Sequence, residues 1–220
     1  MKLSIKNLSY TYKNYEEEKS REVLSNVNLE FVLGDRVIIE GENGSGKTTL
    51  LNILSCVLDM QQGEVFLDDV NIRDKRYKNY MAYVPAEPIV FEELTGTEHI
   101  GLICDLWNIK GENKKKYIDR VYELADEFHL NAFMKEKVRT YSLGTKYKLF
   151  FILMMAREPK LILLDEPFTS LDFEMQKKAV TLLKKQSANT ILIISSHQKE
   201  LIGQLETIRC NVRNTNIVRV

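Results

Sequence analysis

The sequence lacks a charge excess and has few cysteines. Its 31 lysine and arginine residues balance its 31 aspartate and glutamate residues, and a balanced chain carries no electrostatic footprint for nucleic acid. The three cysteines, at positions 56, 104 and 210, lie far apart without a C-x-x-C pair. Such isolated cysteines are typical of reduced residues in a cytosolic protein. We therefore expect no nucleic-acid partner.

Long apolar runs are missing as well. The longest, residues 149–156, is far shorter than the roughly 20 residues that a membrane-spanning helix needs. Residues 1–6 contain no long apolar core of the kind that signal peptides have. No repeat, low-complexity tract or linker interrupts the 220 residues, of which 44% are hydrophobic. These features predict one globular domain over residues 1–220 that does not itself cross a bilayer.

The most informative stretch is a glycine-rich octapeptide that fits G-x-x-x-x-G-K-[ST], the phosphate-binding P-loop pattern. It consists of Gly41, Glu42, Asn43, Gly44, Ser45, Gly46, Lys47 and Thr48. Gly44 and Gly46 allow backbone N–H groups to converge on phosphate. Lys47 is expected to reach the β- and γ-phosphates of a nucleoside triphosphate, and Thr48 is expected to offer its hydroxyl to Mg²⁺.

The surrounding segments support this interpretation. The apolar pattern of residues 36–40 predicts a short buried strand, and residues 49–54 are predicted to begin a helix. The positive end of that helix would then lie under the phosphates. Further along the chain, residues 161–164 and 190–194 are continuous apolar strands with a predicted helix between them. Apolar strands that alternate with helices indicate an α/β architecture, in which a parallel sheet is covered on both faces.

The remaining segments complete the predicted fold. Alternating apolar and polar residues near the N-terminus predict an antiparallel β element, and the charged run 16–22 is interpreted as its solvated hairpin tip. Helical periodicity predicts helices within residues 95–134, 145–157 and 173–186. Two edge strands are predicted within residues 206–220.

Two acids follow the apolar strand that ends at residue 164. Ligands of open α/β sheets lie beyond the carboxyl ends of the strands. We therefore expect Asp165 to bind Mg²⁺ and Glu166 to polarise the attacking water. The alternative is that the acid pair caps a helix or lies in a surface turn. His197 follows the next strand and is expected at the same edge, although a lone histidine is more often structural.

The order of these motifs resembles the ATP-binding subunit of ABC transporters over nearly the whole chain. The P-loop is similar to the Walker A motif, residues 161–167 resemble Walker B with a catalytic glutamate, and His197 resembles the switch histidine. Ser142, Leu143 and Gly144 resemble the family signature. The family's D-loop is resembled by Ser170, Leu171 and Asp172. Tyr12 lies where the family has its adenine-stacking aromatic residue, with Tyr10 as the competing candidate, and Thr49 extends the ATP site.

The resemblance implies a fold and a working arrangement. The fold is an α/β P-loop NTPase with a mostly parallel core sheet, an N-terminal antiparallel β subdomain and an inserted helical subdomain at about residues 88–140. Two cassettes, as a homodimer or heterodimer, pack head to tail, and each signature contacts the ATP at its partner's P-loop. ATP and Mg²⁺ are the implied cofactors.

The resemblance also implies separate transmembrane permease subunits, which would hold the cassettes at the cytoplasmic face of the cell membrane. Export is the expected direction, because the chain ends soon after its final sheet. Two other functions stay open as alternatives. One is a soluble ABC ATPase that acts on nucleic acid, ribosomes or cofactor assembly, and the other is an ATP-binding module with negligible turnover.

The sequence departs from the family pattern at two places. In the signature, Leu143 and Thr145 replace a glycine and a glutamine. Ala86 stands where the family commonly has a glutamine that offers an oxygen to Mg²⁺ or to water. Either a water molecule fills the resulting gap in the metal shell or Glu87 takes the place of the glutamine.

Overall fold

The computed structural model describes residues 1–14, 19–196, 203–205, 207–213 and 215–219. The strands are β1 (Lys2–Asn14), β2 (Lys19–Val32), β3 (Arg36–Glu40), β4 (Gln62–Leu67), β5 (Val70–Asn71), β6 (Met81–Val84), β7 (Leu161–Asp165), β8 (Ile191–Ser195), β9 (Ile208–Arg213) and β10 (Asn216–Arg219). The helices are α1 (Lys47–Leu54), α2 (Tyr77–Tyr80), α3 (Gly96–Leu106), α4 (Gly111–Glu127), α5 (Leu143–Met155) and α6 (Phe173–Ser187). A 3₁₀ turn spans Val138–Thr140.

Two sheets carry the fold. The first is antiparallel, with the strand order β2-β1-β4-β5. The second has the order β10-β9-β3-β8-β7-β6, and every neighbouring pair in it is parallel except β9 with β10. The expected α/β class is thus confirmed, with a mostly parallel core sheet and an antiparallel β element at the N-terminus. Strands β4 and β5 follow α1 in the chain but return to the antiparallel sheet.

The parallel sheet is buried on both faces because its strands are apolar at successive positions. Strands β7 and β8 are buried at every residue. Leu163 and Ile193 point into a core shared with α1 and the antiparallel sheet. Leu164 and Ile194 point into the opposite core, which α3, α4, α5 and α6 cover. Within the described ranges, none of the helices combines the length and the apolar character that crossing a membrane requires.

Three predicted boundaries were wrong. Helix α5 begins at Leu143 rather than at residue 145, because Ser142 caps it by accepting a hydrogen bond from the Thr145 backbone N–H at 3.2 Å. Within residues 95–134, which were predicted to be helical, the two expected helices are α3 and α4, but α4 ends at Glu127 rather than near residue 134. Only β10 is an edge strand at the C-terminal end, since β9 lies between β3 and β10. Part of the predicted hairpin tip, residues 16–18, lies outside the described residues.

Helix α3 begins with a reciprocal pair of hydrogen bonds. The Glu98 backbone N–H donates to Thr95 Oγ1 at 3.1 Å, and the Thr95 backbone N–H donates to Glu98 Oε2 at 2.7 Å. Such a capping box satisfies two of the backbone donors that a helix end leaves unpaired. The Thr95 backbone N–H and the Thr95 hydroxyl both donate to the Glu98 carboxylate, and these bonds hold the pKa of Glu98 below its ordinary value.

Replacing Thr95 by alanine should destabilise the chain through this cap. We expect Thr95→Ala to lower the free energy of unfolding by about 1 kcal/mol, measured by urea unfolding followed by circular dichroism. Thr181→Ala is the matched control, because Thr181 is an exposed residue in the interior of α6. Equal unfolding midpoints for the two variants would contradict this role of Thr95.

Candidate functional site

The glycine-rich loop between β3 and α1 folds around its own lysine. The buried Lys47 Nζ donates to the carbonyl oxygens of Gly41 at 2.8 Å and Glu42 at 3.0 Å. Gly46 precedes α1 with a φ of 112°, and a Cβ there would lie 2.7 Å from the Val23 carbonyl oxygen. The loop therefore needs glycine at that position. The curved loop encloses a fixed positive charge at the positive end of α1, which is a site for an anion.

Asp165 lies at the end of β7, directly across from Ser195 of β8. The Ser195 hydroxyl donates to Asp165 Oδ1, and Thr48 Oγ1 donates to the same oxygen at 3.2 Å. Asp165 is almost fully buried, and a buried carboxylate is stable only when it is hydrogen-bonded or bound to a cation. Strand β7 and helix α1 thus bring a carboxylate and a hydroxyl together beside the loop.

Glu166 follows Asp165 in an unusual backbone conformation. Its φ is 42°, in the left-handed region that few non-glycine residues occupy. Its backbone N–H donates to the Ser195 carbonyl oxygen at 2.9 Å, which extends the parallel pairing by one residue. Backbone strain of this kind is often found at functional sites. The conformation places Glu166 in the wall of the cleft above the P-loop.

The cleft has a volume of about 270 Å³. The described residues that line it are Tyr12, Arg21, Val23, Asn43, Gly44, Gly46, Lys47, Thr48, Thr49 and Glu166. The structure therefore brings together the predicted stacking tyrosine, most of the P-loop, Thr49 and the predicted catalytic glutamate. A site with one aromatic wall, a cationic floor and an acid at one end has the chemical groups that a nucleotide with several phosphates would contact.

The two candidate tyrosines occupy different environments. Tyr12 is 43% exposed at the cleft, and its hydroxyl lies 3.3 Å from Thr49 Oγ1. Tyr10 is 9% exposed and belongs to the core between the two sheets. Its ring packs edge-on against Tyr12, with 5.0 Å between the ring centroids. Only Tyr12 offers a ring face near the loop, so the geometry favours Tyr12 for stacking on a base.

Three polar side chains at this site were not among the predicted site residues. Arg21 Nη2 donates to the Gly44 carbonyl oxygen at 2.9 Å. Ser195 bonds Asp165, as described above. The Tyr83 hydroxyl donates to Asn52 Oδ1 at 2.9 Å, and burial together with the nearby negative charge of Asp165 raises the pKa of Tyr83. Strand register could have identified the first two, because Arg21 lies opposite Tyr12 and Ser195 lies opposite Asp165.

The predicted signature and D-loop lie together, but they do not line the cleft. A Cβ on Gly144 would lie 2.6 Å from the Ser170 carbonyl oxygen, so only glycine permits this contact between the two segments. Leu143 is 58% exposed beside it. Asp172 caps α6 by accepting a hydrogen bond from the Met175 backbone N–H at 2.9 Å. Leu171 is buried.

The segment after β6, where the family has its glutamine, does not line the cleft. Ala86 and Glu87 follow β6, are exposed and are not among the residues that line the cleft. His197 lies outside the described residues.

The oxygen atoms beside the P-loop fit a magnesium ion. Among the residues that the structure describes, no group of three or more His, Cys, Asp or Glu side chains could form a metal cage. Mg²⁺ does not need such a cage, because it prefers one or two carboxylates together with waters and phosphate oxygens. The Thr48 hydroxyl and the Asp165 carboxylate, which lie 3.2 Å apart, are oxygen ligands of the kind that Mg²⁺ binds.

Comparison with known proteins agrees with this geometry. The sequence profile of the ABC transporter family matches residues 24–169. The chain is 30% identical to the putative hemin import ATP-binding protein HrtA of Staphylococcus haemolyticus, over 94% of this chain and 96% of that protein. It is 31% identical to the uncharacterized ABC transporter ATP-binding protein YcbN of Bacillus subtilis, over 86% of this chain.

Other relatives are longer than this chain. It spans 60% of YcbN and 21% of ABC transporter A family member 7 of Arabidopsis thaliana. Among solved structures, a dimeric ATP-binding cassette in a post-hydrolysis state, bound to ADP and Pi, matches with a TM-score of 0.84 and 25% identity, over 99% of this chain and 97% of that one. The chain belongs to the ABC transporter family and is one of its ATP-binding cassettes, with the ATPase activity of that class.

Proposed function

We propose that this chain is an ATP-driven clamp that powers a membrane transporter, with residues 1–220 as one cassette and about residues 88–140 as its helical subdomain. One observation carries the proposal. The cleft holds the P-loop, Tyr12 and Glu166, whereas Ser142 and Gly144 form a separate unit with the D-loop. A site completed by both sets therefore needs a second cassette, identical to the first or related to it.

The signature unit is built to face phosphate in such a dimer. Ser142 and Gly144 lie at the positive N-terminal end of the 13-residue helix α5. The Ser142 hydroxyl already bonds the Thr145 side chain at 2.8 Å, which orients it at the helix end. Ser170 Oγ beside it is buried without a hydrogen-bond partner among the described residues. The related cassette bound to ADP and Pi is itself described as dimeric, which supports the arrangement.

Within one cassette, each cleft residue has a distinct task. Lys47 and the loop amides bind the β- and γ-phosphates, and Tyr12 stacks on the base. Thr48 and Asp165 would hold Mg²⁺, which neutralises charge on the phosphate oxygens when it is bound. Ser195 fixes the Asp165 carboxylate through its hydroxyl. Glu166 accepts the proton of the attacking water as a general base, and His197 is proposed to assist it near the γ-phosphate.

The transporter assignment rests on the family and on one exposed surface. Ile89 and Phe91, in the segment after β6, are 62% and 58% exposed. Neighbouring exposed apolar side chains that form a patch can mark a contact surface, and we propose that a transmembrane permease subunit at the cytoplasmic face of the cell membrane covers these two. Export is the proposed direction. The names of relatives include both a putative hemin import protein and a multidrug resistance-like protein, so they favour neither direction.

The two alternative functions are less well supported. The balanced charge of the chain gives no support to an ATPase that acts on nucleic acid or ribosomes. An ATP-binding module with negligible turnover would have no use for an acid in the cleft, and Glu166 is held there in a strained conformation.

Removing the proposed base should stop hydrolysis without stopping ATP binding. We expect Glu166→Gln to lower the rate of phosphate release by about 10²–10⁴-fold, because the amide cannot accept the proton from water. With MgATP, light scattering should then show a stable particle of roughly twice the monomer mass, since ligand and partner bind cooperatively. Phosphate release at the wild-type rate would remove Glu166 from this role.

A second substitution in the same background tests the dimer. Ser142→Arg adds bulk and charge where the signature unit meets the partner's nucleotide, so it should abolish the ATP-dependent dimer of Glu166→Gln. ATP binding to the monomer should persist, because Ser142 does not line the cleft. A persistent dimer would show that the interface lies elsewhere.

Tyr12 should determine how tightly the base is held. We expect Tyr12→Ala to raise KM for ATP by roughly 10-fold, the value of one stacked base, while kcat falls much less. Steady-state phosphate release at increasing ATP concentrations measures both constants. Selectivity among ATP, GTP and CTP should be poor in the wild type, since an aromatic ring stacks on any base. A rise in KM for Tyr10→Ala but not for Tyr12→Ala would contradict the assignment.

Because Ala86 offers no oxygen to Mg²⁺, we expect a water molecule rather than Glu87 to complete the metal shell. Glu87 is exposed and outside the cleft, and Mg²⁺ readily keeps water as a ligand. We therefore expect Glu87→Ala to leave the Mg²⁺ concentration for half-maximal hydrolysis unchanged. Ala86→Gln should lower that concentration, because it returns an oxygen to the metal shell. A large loss of Mg²⁺ affinity in Glu87→Ala would show instead that Glu87 replaces the missing glutamine.

A further inference from the structure

Arg21 extends from the antiparallel sheet onto the P-loop. Its Nη2 donates to the Gly44 carbonyl oxygen at 2.9 Å. Gly44 has a φ of 74°, and a Cβ there would lie 3.4 Å from the same nitrogen, with no other group that close. The guanidinium therefore lies directly against the backbone of the loop, at a residue that has no side chain to keep it away.

Arg21 and Tyr12 form a pair on one face of the sheet. They are directly opposite each other in the register of β1 and β2, so their side chains lie on the same side of the sheet. Both side chains contact the phosphate-binding segment, Tyr12 at Thr49 and Arg21 at Gly44. A base stacked on Tyr12 would therefore have the guanidinium as its neighbour.

The residues around Arg21 indicate which part of a bound nucleotide Arg21 would contact. The cleft that Arg21 lines also contains Lys47 on its floor and Glu166 in its wall. Glu166 and Thr48 mark the end where hydrolysis takes place, whereas Tyr12 marks the end that holds the base. Because Arg21 lies opposite Tyr12 and bonds Gly44, it lies between the base and the phosphate cradle.

We propose that Arg21 is a further nucleotide-binding residue of this cassette, which faces the ribose and α-phosphate and holds the P-loop through the Gly44 carbonyl. The inference rests on the proposed ATP site and adds a specific contact to it. The hydrogen bond to Gly44 uses one of the five N–H donors of the guanidinium. A planar guanidinium has the geometry to bond a backbone carbonyl and a phosphate oxygen together. Its role is binding, because its hydrogen bond is made to the backbone of the loop at Gly44.

The test compares charge removal on the two faces of the same sheet. Arg21→Gln and Arg21→Met each remove the cation, and Arg21→Met keeps an apolar stem. Lys13→Gln is the matched control, because Lys13 is exposed and adjacent to Tyr12, so its side chain points to the opposite face. Calorimetry with MgADP and with a non-hydrolysable ATP analogue measures affinity, and phosphate release measures KM and kcat.

We expect both Arg21 variants to bind the diphosphate and the triphosphate about 10-fold more weakly, the usual effect of a lost hydrogen bond to a charged group. Both nucleotides should lose affinity equally, since they share the ribose and the α-phosphate. KM for ATP should rise by the same factor, and kcat should fall less than threefold. The affinity of the variants should also depend less on salt than that of the wild type.

Several outcomes would overturn the inference. Affinities for both Arg21 variants equal to that of Lys13→Gln would show that Arg21 does not bind nucleotide. A loss confined to the triphosphate would place the contact at the γ-phosphate, and a fall in kcat larger than the rise in KM would make it part of the chemistry. If the wild type itself binds neither nucleotide, the proposed function fails; if it binds both and the variants bind equally well, only the role of Arg21 fails.

Discussion

The site depends on the register of three parallel strands. In this register Ser195 of β8 lies opposite both Asp165 of β7 and Ile39 of β3. The P-loop therefore begins at the level where the acids of β7 emerge, and Thr48 comes within 3.2 Å of Asp165. A slip of one residue would turn each side chain to the other face of the sheet. It would separate the carboxylate from both hydroxyls that bond it.

Burial on both faces enforces that register. Successive residues of β7 and β8 enter two different hydrophobic cores, one under α1 and the antiparallel sheet and the other under the helices that follow β6. Each fully buried aliphatic side chain contributes roughly 1.5–3 kcal/mol, and a slipped strand would misplace all of them at once. The polar groups of the site are thus positioned by apolar residues that are buried in the two cores.

The sequence was sufficient where a function lies in consecutive residues. The P-loop, the acid pair 165–166 and the apolar strands are local patterns, and each indicated its element and its edge of the sheet. Contacts across strands could not be obtained this way. Arg21 belongs to a charged run that predicts a solvated tip, and only the pairing with Tyr12 shows that it reaches Gly44. The start of α5 was misplaced because the cap bond from Thr145 to Ser142 overrides weak helix propensity.

The two halves of the proposed composite site are joined within one chain by a short, packed segment. Glu166, in the cleft, and Ser170, against Gly144, are separated by three residues. Between them, Phe168 is fully buried with a φ of 72° and packs against Tyr147 and Phe151 of α5, with ring centroids 6.5 and 6.0 Å away. The same helix carries the signature at its first turn. Because Phe168 anchors the segment to α5, the acid proposed to serve one nucleotide and the signature residues proposed to serve the other are held in a fixed relation, and neither can be displaced far without disturbing this aromatic core.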